Sequence, residues 1–158
     1  VQLVGSRNAR RGKLRTRLIR AQGAAKEAQP KYISVDEATL DQLNHFAAKG
    51  LTRYAWDLFH RILAETTGSA DKQIPRSMLY NTMLKAMANA GDVFGAEKMY
   101  SRMRAEGVQL NSKFYGKLLE TAAKAGDDAM ARQWFADAQA NGVAEDQVHF
   151  ACMLDAHA

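Results

Sequence analysis

Apolar residues recur at helical spacing on both sides of Gly91, and this pattern organises the chain. Before the glycine the apolar positions are Tyr80, Met83, Leu84 and Met87; after it they are Ala96, Met99, Tyr100 and Met103. Each stripe predicts an amphipathic helix that cannot bury its apolar face alone. Glycine favours the left-handed residue that ends a helix, and Asp92 is a favourable N-cap. The stretch is therefore expected to form a helical hairpin.

The same hairpin pattern returns at a constant offset of 35 residues. Five landmarks pair in this way: Tyr80 with Tyr115, Gly91 with Gly126, Ala96 with Ala131, Tyr100 with Phe135, and Gly107 with Gly142. A period of this length with two helices per period is typical of an α-solenoid. We therefore expect an all-α fold with repeats at 77–111 and 112–146.

A degenerate repeat is predicted before these two, at 36–76. Gly50 stands where Gly91 stands, but 41 residues earlier, so six extra residues are expected in the polar loop 66–72. Ser34-Val-Asp-Glu resembles a capping box, which predicts that the helical body begins near Ser34.

A further copy of the pattern begins after Asp146. Phe150, Met153 and Leu154 match Tyr80, Met83 and Leu84, and the chain stops at Ala158. This half repeat, 147–158, has one apolar face. Three explanations remain open: the natural chain continues, another protein covers the face, or the helix caps the solenoid.

Charge divides the chain into a basic arm and an acidic body. Residues 1–26 hold eight basic residues and no acid, whereas the remainder holds 14 basic and 17 acidic residues. The arm is thus +8 and the body −3. We predict an arm at 1–31 and a helical repeat domain at 32–158. Such asymmetry is typical of a nucleic-acid-binding tail.

The basic arm is compatible with several roles. It could be the remnant of an Arg-rich organellar transit peptide, a solvated tail, or an arm laid on RNA phosphates. It could also bind an acidic protein surface or pack on its own body. The candidate phosphate contacts are Arg7, Arg10, Arg11, Lys13, Arg15, Arg17 and Arg20.

The sequence offers no catalytic or cofactor-binding constellation. A single cysteine, Cys152, precludes an internal disulfide, and no apolar run reaches the roughly 20 residues of a membrane span. His149, Cys152 and His157 lack a fourth metal ligand and a suitable helical spacing. We expect no enzyme activity, no metal, no cofactor and no membrane insertion.

The second hairpin resembles the pentatricopeptide repeat family. The resemblance rests on Tyr80-Asn81-Thr82-Met83-Leu84, the Ala-Gly-Asp turn and Glu106-Gly107-Val108. It is strong for 77–111 and 112–146 and weaker for 36–76. The resemblance implies a right-handed α-solenoid, residence in mitochondria or plastids, and recognition of organellar RNA at one base per repeat.

In that family the fifth and last residues of each repeat contact a base edge, and the second helps to sandwich the base. The resemblance thus assigns base contact to Asn81 and Asn111, a pair that favours pyrimidines, with Met78 at the sandwiching position. The next repeat presents Gly116, which has no side chain, with Asp146.

A single complete pair of base-contacting residues, Asn81 and Asn111, cannot bind a specific RNA strand tightly. The first repeat offers Leu40, which cannot hydrogen-bond, and stacking contributes roughly 1–3 kcal/mol per base. Even millimolar binding requires about 4 kcal/mol. We therefore expect an RNA-associated subunit or accessory factor of a large ribonucleoprotein such as a mitochondrial ribosome, in contact with ribosomal RNA or an organellar transcript and with other subunits. The alternative is a protein scaffold in an organellar complex that does not read RNA.

Overall fold

The structure, a computed structural model, describes residues 30–65 and 72–143. In chain order the elements are β1 (Tyr32–Val35), α1 (Glu37–Lys49), α2 (Thr52–Ala64), β2 (Lys72–Pro75), α3 (Arg76–Ala90), α4 (Val93–Ala105), α5 (Ser112–Ala125) and α6 (Asp128–Ala140). The described part is thus mostly helical, which confirms the all-α helical repeat fold. The predicted handedness of the solenoid stays a prediction.

The six described helices form three hairpins in the predicted order. The second helix of each hairpin begins at Thr52, Val93 and Asp128, so the offset is 41 residues and then 35. The extra residues therefore lie between Ala64 and Arg76, where the long polar loop was expected.

The first helices of the hairpins, α1, α3 and α5, pack side by side as one row. Each second helix packs against its own partner, and α2 and α4 also contact the first helix of the next hairpin. Apolar stripes from both rows meet between them. Tyr80 and Tyr115 are fully buried there, as their positions in the stripes predict, and Trp134 is fully buried as well. Tyr100 and Phe135 are partly buried at the edge of the same core.

The turn inside each hairpin has the predicted chemistry. Gly91 ends α3 at φ 65°, and its N–H donates to the Ala88 carbonyl over 3.3 Å. Asp92 then caps α4, because its Oδ1 accepts from the Gly95 N–H over 2.8 Å. Gly50 and Gly126 end α1 and α5 in the same left-handed conformation, which ordinary side chains adopt only with strain.

The start of the helical body differs from the sequence-based expectation. Ser34 lies in β1, and Asp36 is the N-cap of α1, accepting from the Thr39 N–H over 2.8 Å. The capping box was therefore placed two residues too early. Lys72, expected in the loop, lies in β2. Both misassignments have one cause: each strand has four residues and gains its hydrogen bonds from a partner about 40 residues away.

The two strands pair antiparallel, with Ile33 opposite Ile74 and Tyr32 opposite Pro75. The Arg76 N–H donates to the Lys31 carbonyl over 2.9 Å, so alternate pairs further along are hydrogen-bonded. Pro75 falls on a pair that exchanges no hydrogen bonds, where its missing N–H costs nothing. Ile33 and Ile74 enter the core, so the ladder ties the segment before the first hairpin to the loop after it.

Successive second helices are joined by side-chain pairs at equivalent repeat positions, with a cation in one pair and a carboxylate in the next. Arg102 of α4 lies over the Phe59 ring of α2, with its Cζ 5.1 Å from the centroid. One repeat later, Asp137 of α6 accepts from the Tyr100 hydroxyl of α4 over 2.6 Å. Phe59 and Tyr100 are equivalent positions, as are Arg102 and Asp137. Where the ring has no donor the partner is a cation, and where it carries a hydroxyl the partner is a carboxylate.

We expect Gly50→Ala to destabilise the protein more than Gly126→Ala. Both glycines have a left-handed φ, which costs a side chain about 1–2 kcal/mol. A Cβ at Gly50 would also lie 3.1 Å from the Ala90 backbone nitrogen, whereas a Cβ at Gly126 meets no described residue within 4 Å. Overpacking against this backbone should cost roughly a further 1 kcal/mol. Urea unfolding of both variants measures the difference, and equal losses would show that α1 and α3 separate freely here.

Candidate nucleic-acid interface

The exposed face of α3 carries two of the predicted base contacts. Met78 is 43% exposed, and Asn81, one turn further along, is half-buried. The Asn81 side chain has no hydrogen-bond partner among the described residues. Its amide can therefore offer both a donor and an acceptor to a ligand.

Asn111 lies at the start of α5 and also serves as the N-cap of that helix. Its Oδ1 accepts from the backbone N–H groups of Lys113 and Phe114 over 3.1 and 3.2 Å, which caps the helix. The exposed amide nitrogen remains as a donor. Because α3 and α5 run side by side in the same direction, Asn81 and Asn111 lie near the same edge of the row.

The equivalent face of α5 is open where Asn81 has its counterpart. Within 30–65 and 72–143, a Cβ built at Gly116 meets no atom within 4 Å. Lys113, the equivalent of Met78, is exposed. This repeat therefore has room for a base-reading side chain and lacks one, as the sequence indicates.

The first hairpin has no free residue at either reading position. Leu40 is only 4% exposed and belongs to the core. Arg76, the last residue of repeat 36–76, is held by Glu106 at 3.0 Å and has a side chain that is 11% exposed. The sequence showed that Leu40 cannot hydrogen-bond, but only the structure shows that both positions are sequestered.

Several predicted contacts fall outside the part of the chain that the structure describes. These are Asp146 and the basic residues of the arm (Arg7, Arg10, Arg11, Lys13, Arg15, Arg17 and Arg20), together with His149, Cys152 and His157.

Glu106 joins the two helices of the second hairpin through a hydrogen bond and an ion pair. It accepts from the Tyr80 hydroxyl and pairs with Arg76 and Arg102 over 3.0 and 2.9 Å. Burial alone would raise the pKa of Glu106, but the hydrogen bonds from Tyr80 and Arg102 and the two guanidinium charges outweigh it. The pKa of this carboxyl is therefore lowered, and the group stays charged in the folded protein.

Asp137 forms a second, partly buried cluster one repeat later. It accepts from the Tyr100 and Tyr115 hydroxyls and pairs with Arg104 at 3.2 Å. Burial, followed by the hydrogen bond to Asp137, raises the pKa of Tyr100 to about 12 and also raises that of Tyr115. The pKa of Asp137 is lowered because the hydrogen bonds from both tyrosines and the Arg104 charge outweigh its burial.

These two clusters are structural in character. A tyrosine that served as a general base would need a lowered pKa and access to a substrate. Here the tyrosine pKa values are raised, and Tyr80 and Tyr115 are completely buried. The clusters join the two helices of a hairpin, and the Asp137 cluster also joins neighbouring hairpins.

The described residues hold neither a candidate membrane span nor a candidate metal site. The helices within 30–65 and 72–143 include none long and apolar enough to cross a bilayer. The same residues contain no group of three histidine, cysteine or acidic side chains positioned to share a metal ion.

Comparison with known families supports the second hairpin as the organising unit. Residues 78–108 match the family model described as the PPR repeat. The second hairpin is a pentatricopeptide repeat. The match supports assigning the chain to the pentatricopeptide repeat family, whose members are generally non-enzymatic, RNA-associated and organellar. A search of curated proteins finds no relative that matches the chain.

Sequence reasoning missed one feature of the pentatricopeptide repeat face. Lys85 lies on α3 seven residues after Met78, exposed and without a side-chain partner among the described residues. The signal was available, because positions 78, 81 and 85 share one helix face. Lys85 was overlooked because charge was summed over the whole body, which is net negative, and not over this helix face.

We expect Glu106→Gln to lower the free energy of unfolding at neutral pH by about 1–2 kcal/mol, because charge-assisted hydrogen bonds weaken. The pKa of Glu106 is lower in the folded protein than in the unfolded chain. Its stabilisation is therefore complete above the ordinary carboxyl pKa of about 4.3 and is lost as the pH falls through the folded value. Urea unfolding at neutral pH and at about pH 3 should show the gap between the proteins closing.

Glu65→Gln is the matched control for this measurement. Glu65 is the equivalent residue of the first hairpin, with a side chain that is 67% exposed. Its replacement should change stability little at either pH. A gap for Glu106→Gln that persisted in acid would contradict the assigned ionisation.

Proposed function

We propose that the protein is an RNA-associated component of organellar gene expression, acting as a subunit or accessory factor of a large ribonucleoprotein such as a mitochondrial ribosome. The observation that carries this proposal is the pentatricopeptide repeat match at 78–108, whose face presents Met78 and Asn81 to solvent. A plastid location is the alternative to a mitochondrial one.

In this proposal the second hairpin contacts one base. Asn81 reads the base edge together with the amide nitrogen of Asn111, and Met78 packs against the base plane. Asp146 serves the following repeat, where Gly116 leaves the other position empty. Stacking and one or two hydrogen bonds amount to a few kcal/mol, so the repeats bind a short exposed strand weakly.

The arm supplies the remaining affinity through phosphate contacts. Its eight positive charges within residues 1–26 outweigh the −3 of the rest of the chain. Contacts from Arg7, Arg10, Arg11, Lys13, Arg15, Arg17 and Arg20 would add a strongly salt-dependent, sequence-independent term. Weak base-specific binding by the repeats and strong electrostatic binding by the arm are what we expect of a protein that works inside a larger assembly.

Gly116→Asn should strengthen binding of the full chain to single-stranded RNA. The added amide would restore the reading pair with Asp146, and the open space at Gly116 accommodates it. One hydrogen bond of about 1 kcal/mol predicts a roughly five-fold gain in affinity, with altered base preference. Filter binding to homopolymeric RNAs across salt concentrations measures both.

Gly116→Ala is the control, because it stabilises the helix without adding an amide. Asn81→Ala should lower affinity and weaken the pyrimidine preference. Base preferences unchanged in both Gly116→Asn and Asn81→Ala would contradict base reading by this face. Cosedimentation of the protein with organellar ribonucleoprotein, and its release by ribonuclease, tests the assembly role.

One observation favours a second candidate function, a protein scaffold. Leu51, Tyr54 and Phe94 are 39%, 57% and 83% exposed, and all lie at the turns within the first two hairpins. Exposed apolar side chains grouped in this way are typical of protein contacts. Replacement of all three by serine should release the protein from its organellar complex even after ribonuclease treatment if this role dominates.

A further inference from the structure

Two cations close to the exposed Met78 and the half-buried Asn81 have no side-chain partner among the described residues. Lys85 of α3 and Lys113 of α5 are exposed, and their side chains have no ion-pair or hydrogen-bond partner among the described residues. The other lysines of α5 are engaged: Lys117 pairs with Glu120 at 2.7 Å, and the Lys124 ammonium donates to the Asn89 carbonyl.

The two free lysines bracket the exposed residues of the second hairpin. Lys113 is the equivalent of Met78 and so lies beside it on the neighbouring helix, since α3 and α5 pack directly and in parallel. Lys85 lies seven residues beyond Met78, about 10 Å along the axis of α3. Asn81 lies between these two levels, so one cation stands on either side of it.

The first helix of the row has the opposite charge at the matching level. Glu37 stands where Met78 and Lys113 stand, and Asp41 follows one turn later; both are exposed, and Glu37 pairs with Lys72 at 3.6 Å. Asn44 occupies the position of Lys85. An anion on this row is therefore attracted more strongly to α3 and α5 than to the start of α1, where Asp41 is acidic and Lys72 offsets Glu37.

We propose that Lys85 and Lys113 bind two phosphates of a single-stranded RNA whose intervening base faces Asn81, and that the RNA path begins at α3 and excludes the first hairpin. This inference rests on the proposed function and adds to it a phosphate path on the repeats that is separate from the basic arm. The sequestered Leu40 and Arg76 point the same way, because the first hairpin has no free residue at either reading position.

The test compares two double variants of the full chain with equal loss of charge. Lys85→Ala with Lys113→Ala removes the proposed contacts, whereas Lys49→Ala with Arg132→Ala removes two exposed cations elsewhere. Binding to oligouridylate and oligoadenylate is measured by fluorescence anisotropy between about 50 and 200 mM salt. Thermal unfolding confirms that each variant remains folded.

Two lost phosphate contacts should lower the salt slope by about 1.4, at roughly 0.7 per contact for single strands. Over a four-fold change in salt, the affinity of the wild type should then fall about seven-fold more than that of the Lys85/Lys113 variant. The base preference should stay unchanged, since the reading residues remain. The Lys49/Arg132 control should keep the wild-type slope.

An unchanged slope in the Lys85/Lys113 variant, or an equal decrease in the control, would overturn this inference and leave the proposed function standing. Wild-type protein that binds neither RNA would overturn the proposed function itself. Polyglutamate that binds the wild type as tightly as RNA does, and loses as much affinity in the Lys85/Lys113 variant, would also overturn the phosphate path. The two lysines would then attract any polyanion non-specifically.

Discussion

The close approach of successive first helices at their C-terminal ends is the constraint on which the rest of the structure depends. A Cβ at Gly50 would lie 3.1 Å from the backbone of α3, and the Asn89 side chain donates to the Ala47 carbonyl over 2.8 Å. Lys124 donates to the Asn89 carbonyl in the next junction. Because the helices meet so closely, α1, α3 and α5 form one continuous row, and their outward stripes become a single face.

The two junctions between hairpins differ in the polar side-chain pair that each contains. Arg102 stacks on Phe59, whereas Asp137 accepts from Tyr100 at the equivalent place. An exchange of these partners would leave a carboxylate against a ring without a donor, or a guanidinium beside a neighbouring arginine. The pairs thus favour one order of hairpins, which apolar packing alone would specify less strictly.

The same architecture separates stability from recognition. Glu106 and Asp137, whose pKa values are lowered, form partly buried contacts within and between hairpins. Asn81, Lys85 and Lys113, whose side chains have no partner in the described part of the chain, lie on the outer face of the row. A ligand can therefore engage this face without disturbing the contacts that hold the hairpins together.

The sequence by itself determined the helices, their pairing and the period, because apolar stripes, helix-ending glycines and capping aspartates act within a few residues of each other. It also located Asn81 and Met78 on a repeat face. Only the tertiary structure decided the two-stranded ladder, since β1 and β2 gain hydrogen bonds only from each other. It likewise decided that Arg76 is sequestered by Glu106 whereas Lys85 has no partner among the described residues, because such partners come from distant parts of the sequence.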